Sequence, residues 1–168
     1  MRSFVNWVHS LAYVVRGAHA MRQGDDEGVI RNYSRAIEIS PEDLDYYYAR
    51  GHAHWHKKEL GLAAADFTTA IELCPENLYA HMVRGAIYRD RGYYSQAISD
   101  LTYVLEHDDP SVVLCLRAEC FAEKKYYDEA MADLDHVLEE QPRHPRALEL
   151  KREVERHLAE QHLAELAA

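Results

Sequence analysis

Cysteine is scarce in this chain. Cys74, Cys115 and Cys120 make an odd number, and no CxxC spacing occurs. Cys115 and Cys120 stand five apart, which does not align them on one helix face. Neither a disulfide framework nor a zinc knuckle is written here, so free thiols in a reducing, cytoplasmic setting are expected. Glycine and proline are also sparse, with 7 and 5 in 168 residues, which excludes collagen-like and low-complexity chains. Positive charge is outnumbered: 19 Lys and Arg face 29 Asp and Glu, for a formal net charge of -10. Such a surface repels phosphate backbones, so no nucleic acid is expected as a partner; a basic or apolar polypeptide fits better. Long apolar runs are missing too. The stretch "MRSFVNWVHSLAYVVRGAHA" over residues 1–20 has an apolar segment and a small-residue end. However, Asn6 and His9 interrupt it and Arg2 alone forms its charged beginning. It is too short and too polar to span a bilayer, so a first helix is expected and membrane insertion is not. The rival reading is an exported or periplasmic protein of envelope assembly or secretion. Cleavage after Ala20 would then remove most of that first helix.

What the chain does have is repetition. "VVRGAHAM" (14–21), "YARGHAHW" (48–55), "MVRGAIYR" (82–89) and "CLRAECFA" (115–122) align on Gly17, Gly51, Gly85 and Ala118. A second block follows each of them: "VIRNYSRAIEISP" (29–41), "AAADFTTAIELCP" (63–75), "AISDLTYVLEHDDP" (97–110) and "AMADLDHVLEEQP" (130–142). Apolar residues recur inside each unit at helical spacing. Turn signals at 23–26, 57–59, 90–92 and 123–125 split every unit in two. Pro41, Pro75, Pro110 and Pro142 force a break before the next unit. Each unit therefore reads as two antiparallel helices, A and B. The repeated Gly or Ala lets their backbones approach where a larger side chain would overpack. One pair cannot bury its own apolar face, whereas stacked pairs can.

This pattern resembles the tetratricopeptide repeat (TPR) family, whose unit is 34 residues long. Small residues stand at Gly17, Gly51, Gly85, Ala118, Ala36 and Ala70, with Val104 and Val137 as larger substitutes. Tyr33, Phe67, Leu101 and Leu134 form the large apolar set. The resemblance implies an all-α, right-handed superhelical solenoid of antiparallel helix pairs. Four repeats are expected over residues 1–144 (10–43, 44–77, 78–110 and 111–144), with 1–9 extending the first helix. Residues 145–168 are expected to form a C-terminal capping helix, with Ala147, Leu150, Val154 and Leu158 on its apolar face.

The resemblance further implies a concave groove lined by the A helices, and a non-enzymatic adaptor or scaffold that binds a peptide or helix of a partner. Carried over position by position, the expected groove residues are Tyr48, His52, Trp55, His56, Tyr79, Met82, Arg89, Glu119 and Glu123, with Asp90 beside them. Their aromatic, adaptable centre suits apolar anchors, and the acidic end suits basic flanks. The plainer alternative is that Tyr48 and Tyr79 pack between neighbouring A helices and contribute only stability. Family members that bind the acidic tails of heat-shock chaperones use a clamp of Lys, Asn and Arg. Val14, Ala18, Ala49, Tyr79 and Val83 occupy the corresponding positions, so such tails are not expected as ligands.

No GxSxG, P-loop or other catalytic motif is present, so neither an enzyme nor a cofactor is expected. Asp66, Asp100 and Asp133 recur at one repeat position, read as solvated decoration able to pair locally with Arg16, Arg50, Arg84 and Arg117. The string "GHAHWHKK" (51–58) raises a weaker alternative. His52 and His56 share a helix face and, with Asp90, could offer three metal ligands. The same two imidazoles could instead make the groove sensitive to pH. His54 stands where repeat 3 has Tyr88, so it is expected in the core, hydrogen-bonded within its helix pair.

Overall fold

The structure, a computed structural model, describes residues 2–108 and 110–166. Among these residues every regular element is a helix. They are α1 (Arg2–Arg22), α2 (Asp26–Ile39), α3 (Leu44–His56), α4 (Leu60–Leu73), α5 (Leu78–Asp90), α6 (Tyr94–Leu105), α7 (Ser111–Glu123), α8 (Tyr127–Glu140) and α9 (Pro145–Leu166). The chain divides into two compact units, Met1–Arg91 and Gly92–Ala168. No helix among the described residues is long and apolar enough to cross a membrane.

Local chemistry sets the helix ends. The side chains of Asp25, Asp43 and Asn77 accept hydrogen bonds from the backbone N–H groups of Gly28, Asp45 and Ala80, at 2.9, 3.2 and 3.0 Å. Each satisfies a donor that a helix start leaves without an internal partner. The turns from A to B helix share one geometry. Gly24, Lys58, Gly92 and Lys125 have φ of 69°, 62°, 74° and 62°. Around Lys58, its N–H donates to the Trp55 carbonyl and the Glu59 N–H to the His54 carbonyl, both at 2.9 Å. Lys125 and Tyr126 repeat this with Ala122 and Phe121, again at 2.9 Å. Such paired bonds close a helix over one left-handed residue. Glycine takes that conformation freely; lysine does so at a cost.

In the first unit α1 packs on α2, α2 on α3, α3 on α4 and α4 on α5. The repeated glycine makes two of these approaches possible. A Cβ on Gly17 would lie 2.6 Å from Tyr33 Cε2, and one on Gly51 would lie 3.0 Å from Phe67 Cε2. Tyr33, Ala36, Phe67 and Ala70 are buried beneath them. The second unit uses Ala118 and Leu134 in the same roles, in a core with Val137 and with Ala147, Leu150 and Val154 of α9. Each large side chain buried in this way contributes about 1.5–3 kcal/mol. In repeat register Arg152 stands where α3 has Gly51, and it is exposed. α9 continues past the point where the earlier A helices turn.

The repeated aspartates are not solvated. Asp66, Asp100 and Asp133 are only 4%, 6% and 6% exposed. Arg50 grips Asp66 through Nη2–Oδ1 (2.6 Å) and Nε–Oδ2 (3.0 Å), and reaches Ser34 Oγ at 3.1 Å. Arg117 does the same with Asp133 (2.7 and 2.9 Å) and Thr102 (3.0 Å). Arg84 donates to Thr68 Oγ1 at 3.2 Å. Arg50 and Arg117 thus tie the B helix of their own repeat to the B helix before it. Arg16 departs from the expected pairing. Asn32 holds the place of Asp66 and gives its amide to the Gly28 carbonyl at 2.7 Å, while Arg16 lies 5.9 Å over the Tyr13 ring.

Candidate functional site

Helical periodicity puts Tyr48, His52 and Trp55 on one face of α3. That face meets α5, which presents Tyr79, Met82, Arg89 and Asp90. Gly51 sets the depth of the cluster: because α4 comes so close, Phe67 forms its floor. Tyr48 stacks on Phe67 with centroids 5.7 Å apart and interplanar angle 24°, and His52 meets Phe67 edge-on at 5.2 Å. Tyr79 packs edge-on against Tyr48 at 5.5 Å, and His52 lies 6.1 Å from Trp55 in a stacked arrangement. Met82 is partly buried against the same core.

Polar bonds fix the rings. His52 Nε2 and Tyr79 Oη share a hydrogen bond of 2.7 Å. Trp55 Nε1 donates to Asp90 Oδ2 at 2.9 Å, while Arg89 Nη2 donates to Asp90 Oδ1 at 2.8 Å. Desolvation pulls the pKa of His52 below the ordinary histidine value, and neighbouring His56 adds to this. Burial, with the nearby Cys74, Asp45 and Tyr79, pushes the Tyr48 phenol up to about 12. Burial raises Tyr79 as well. Even so, Tyr79 remains 46% exposed, so the cluster is open on its outer side. Tyr48 and Tyr79 therefore do pack between A helices, as the plainer alternative holds, without closing the face.

Seven of the expected residues gather here: Tyr48, His52, Trp55, Tyr79, Met82, Arg89 and Asp90. His56 is exposed and turns to Asp26 of α2, with Nδ1 3.3 Å from Oδ1. Its neighbour Lys57 bonds Glu27 of the same helix. The Asp90 carboxylate serves Trp55 and Arg89, and no group of three His, Cys, Asp or Glu able to hold a metal occurs among the described residues. Glu119 and Glu123 belong to the second unit. Glu119 accepts two bonds from Arg146 of α9, at 2.8 and 3.0 Å, instead of forming an open acidic wall. Glu123 is exposed and hydrogen-bonds the Tyr94 side chain. His54 is buried, with Nδ1 2.6 Å from Glu59 Oε2. That bond, followed by one from Lys57, holds the Glu59 carboxyl below its usual range. Sequence reasoning missed that Asp90 orients the Trp55 indole across 35 residues, and that the Tyr48 hydroxyl is left without a partner.

Helix pairs repeated in register and stacked through a small-residue contact define an all-α repeat protein. The chain belongs to the tetratricopeptide repeat family. One TPR repeat profile matches residues 20–58, and another described as tetratricopeptide repeat matches 44–77 and 112–144. Proteins of this family generally mediate protein–protein interactions, and the fold is typical of non-enzymatic scaffolds. No curated protein matches the chain. Among solved structures it is similar to YrrB, a TPR protein with an unusual peptide-binding site. The TM-score is 0.79 at 22% identity, over 85% of this chain and 74% of that one. MamA from Desulfovibrio magneticus RS-1 gives 0.78 at 14% identity, over 94% and 96%. The TPR2B-domain:pHsp70 complex of yeast Sti1 gives 0.62 at 19% identity, over 68% and 97%.

Proposed function

We propose that the α3–α5 face of the first unit binds a peptide or helix of a partner protein, making the chain a non-enzymatic adaptor. One observation carries this reading. Four rings, Tyr48, His52, Trp55 and Tyr79, form one connected cluster that is fixed from behind by Phe67 and from the side by Asp90, yet open in front. A rigid, half-exposed aromatic surface loses little entropy on contact and releases much apolar area, which is the character of interface hot spots. The expected ligand has one or two apolar anchors that fill the space beside Trp55, Tyr79 and Met82, with basic residues at their flanks. Asp45 is an exposed carboxylate one turn before Tyr48, and cationic side chains are attracted to aromatic faces. That YrrB is described by a peptide-binding site supports the reading by analogy alone.

Panning a displayed random-peptide library tests it. The wild-type chain should enrich peptides in which an apolar residue is flanked by Lys or Arg. A Trp55→Ala, Tyr79→Ala double variant, folded by circular dichroism, should lose them. Enrichment of the same peptides on the double variant would place binding elsewhere and sink the proposal.

A further inference from the structure

The Tyr48 hydroxyl is fully buried and has no hydrogen-bond partner, alone in this among the buried side-chain polar atoms of the described residues. Leaving a hydroxyl in that state costs stability. Packing does not account for it. The stacking on Phe67 and the edge contact with Tyr79 involve only the ring, so a phenylalanine would make both without the penalty. Tyr79, by contrast, stands outermost of the four rings. It is about half exposed, and its hydroxyl has one hydrogen bond, to His52 Nε2. Once that bond is exchanged for a ligand contact, an exposed ring is free to change rotamer.

We propose that Tyr79 is a movable cover packed against the Tyr48 ring, and that the Tyr48 hydroxyl donates a hydrogen bond to a backbone carbonyl of the bound peptide. This rests on the peptide-binding reading of the same face and adds the atom that fixes the ligand's main chain. The surroundings of the hydroxyl select the acceptor. Burial, with Cys74 and Asp45 nearby, opposes ionisation of Tyr48, so the phenol stays protonated and acts as a donor. The same Asp45 carboxylate repels an anionic acceptor and attracts a cation. A neutral peptide carbonyl followed by Lys or Arg satisfies both conditions. When the cover moves, Tyr79 gives up its bond to His52 and turns its ring to the ligand's side chain. The ligand thus gains an aromatic wall and a hydrogen-bond donor together.

The test uses the full chain with 13C-labelled tyrosine, as wild type and as Tyr48→Phe. The probes are acetyl-Lys-Leu-Lys-amide and acetyl-Glu-Leu-Glu-amide. In wild type the basic tripeptide should shift the Tyr48 and Tyr79 ring signals saturably, and the acidic one should not. Tyr48→Phe should weaken the basic tripeptide at least fivefold while raising the melting midpoint by about 2–4 °C, because it removes an unsatisfied hydroxyl. A lower midpoint would show that the hydroxyl is already satisfied in the free protein and would overturn the inference. Equal affinity in both chains would also overturn it while leaving the peptide-binding reading intact. If neither tripeptide moves any ring of the face in wild type, the peptide-binding reading falls and this inference with it.

Discussion

His52 meets Tyr79 across 27 residues in the first unit, and Glu119 meets Arg146 across the same interval in the second. Both contacts join one A helix to the A helix after it, at equivalent repeat positions. In the first unit the pair is uncharged and aromatic, backed by Tyr48 on Phe67, and its outer side is open. In the second it is an ion pair, and Cys115, the counterpart of Tyr48, is buried in the core that α9 completes. The repeat therefore fixes where two A helices touch, whereas the side chains decide whether the contact is an open surface or a closed seam.

The largest effects should come from the floors of the two junctions. Phe67→Ala should cost about 3–5 kcal/mol and Leu134→Ala about 2–5 kcal/mol in denaturant unfolding. Phe67→Ala alone should also loosen the Tyr48 and His52 rings by NMR. The Arg–Asp seams come next. Asp66→Ala or Asp133→Ala should each cost about 2–3 kcal/mol, below the full penalty for breaking a buried pair because the guanidinium still reaches water. Equal costs in the two units would show that the seams are interchangeable even though the faces are not.

The regularity was legible in the sequence and the exceptions were not. Gly17, Gly51 and Ala118 announced close helix approach because only a small residue permits it, and Tyr33, Phe67 and Leu134 are the side chains that fill the space opposite. His54 was legible as a packing residue through its register with Tyr88. The membership of the aromatic face was also readable, because helical spacing alone brings Tyr48, His52 and Trp55 together. The polar partners were hidden. Asp66 looks like surface decoration until Arg50 lies over it, and Asn32 breaks the series without disturbing the apolar pattern. Glu119 looks like an open acid until Arg146 arrives from a helix outside the repeat frame. Register predicts faces; it does not predict which side chain across the face accepts which proton.

Smaller effects sharpen the contrast. His52 has a folded pKa below its ordinary 6.5, so near and below that pH the unfolded chain binds more protons than the folded one. Stability should fall as pH drops from 6.5 through the folded value, and should be fully recovered above 6.5. His52→Gln should flatten this loss in thermal melts recorded across pH 5–8. The seam in the second unit should respond to salt. Glu119→Gln should cost no more than about 1 kcal/mol at low ionic strength and less at 0.5 M salt, since the Arg146 side chain is half exposed. Finally, Lys58→Gly and Lys125→Gly should each stabilise by about 0.5–1 kcal/mol, matching the glycines that already hold the equivalent turns at 24 and 92.

The central claim is that the open face of α3 and α5 receives the ligand. The indole N–H of Trp55, fixed on Asp90, is its most direct reporter. A peptide enriched on the wild-type chain should be titrated while that signal is followed by 15N–1H NMR. The Trp55 resonance should move saturably with the affinity measured by calorimetry, and Glu119→Gln should leave that affinity unchanged. A peptide that binds while the Trp55 resonance stays fixed would contradict the account.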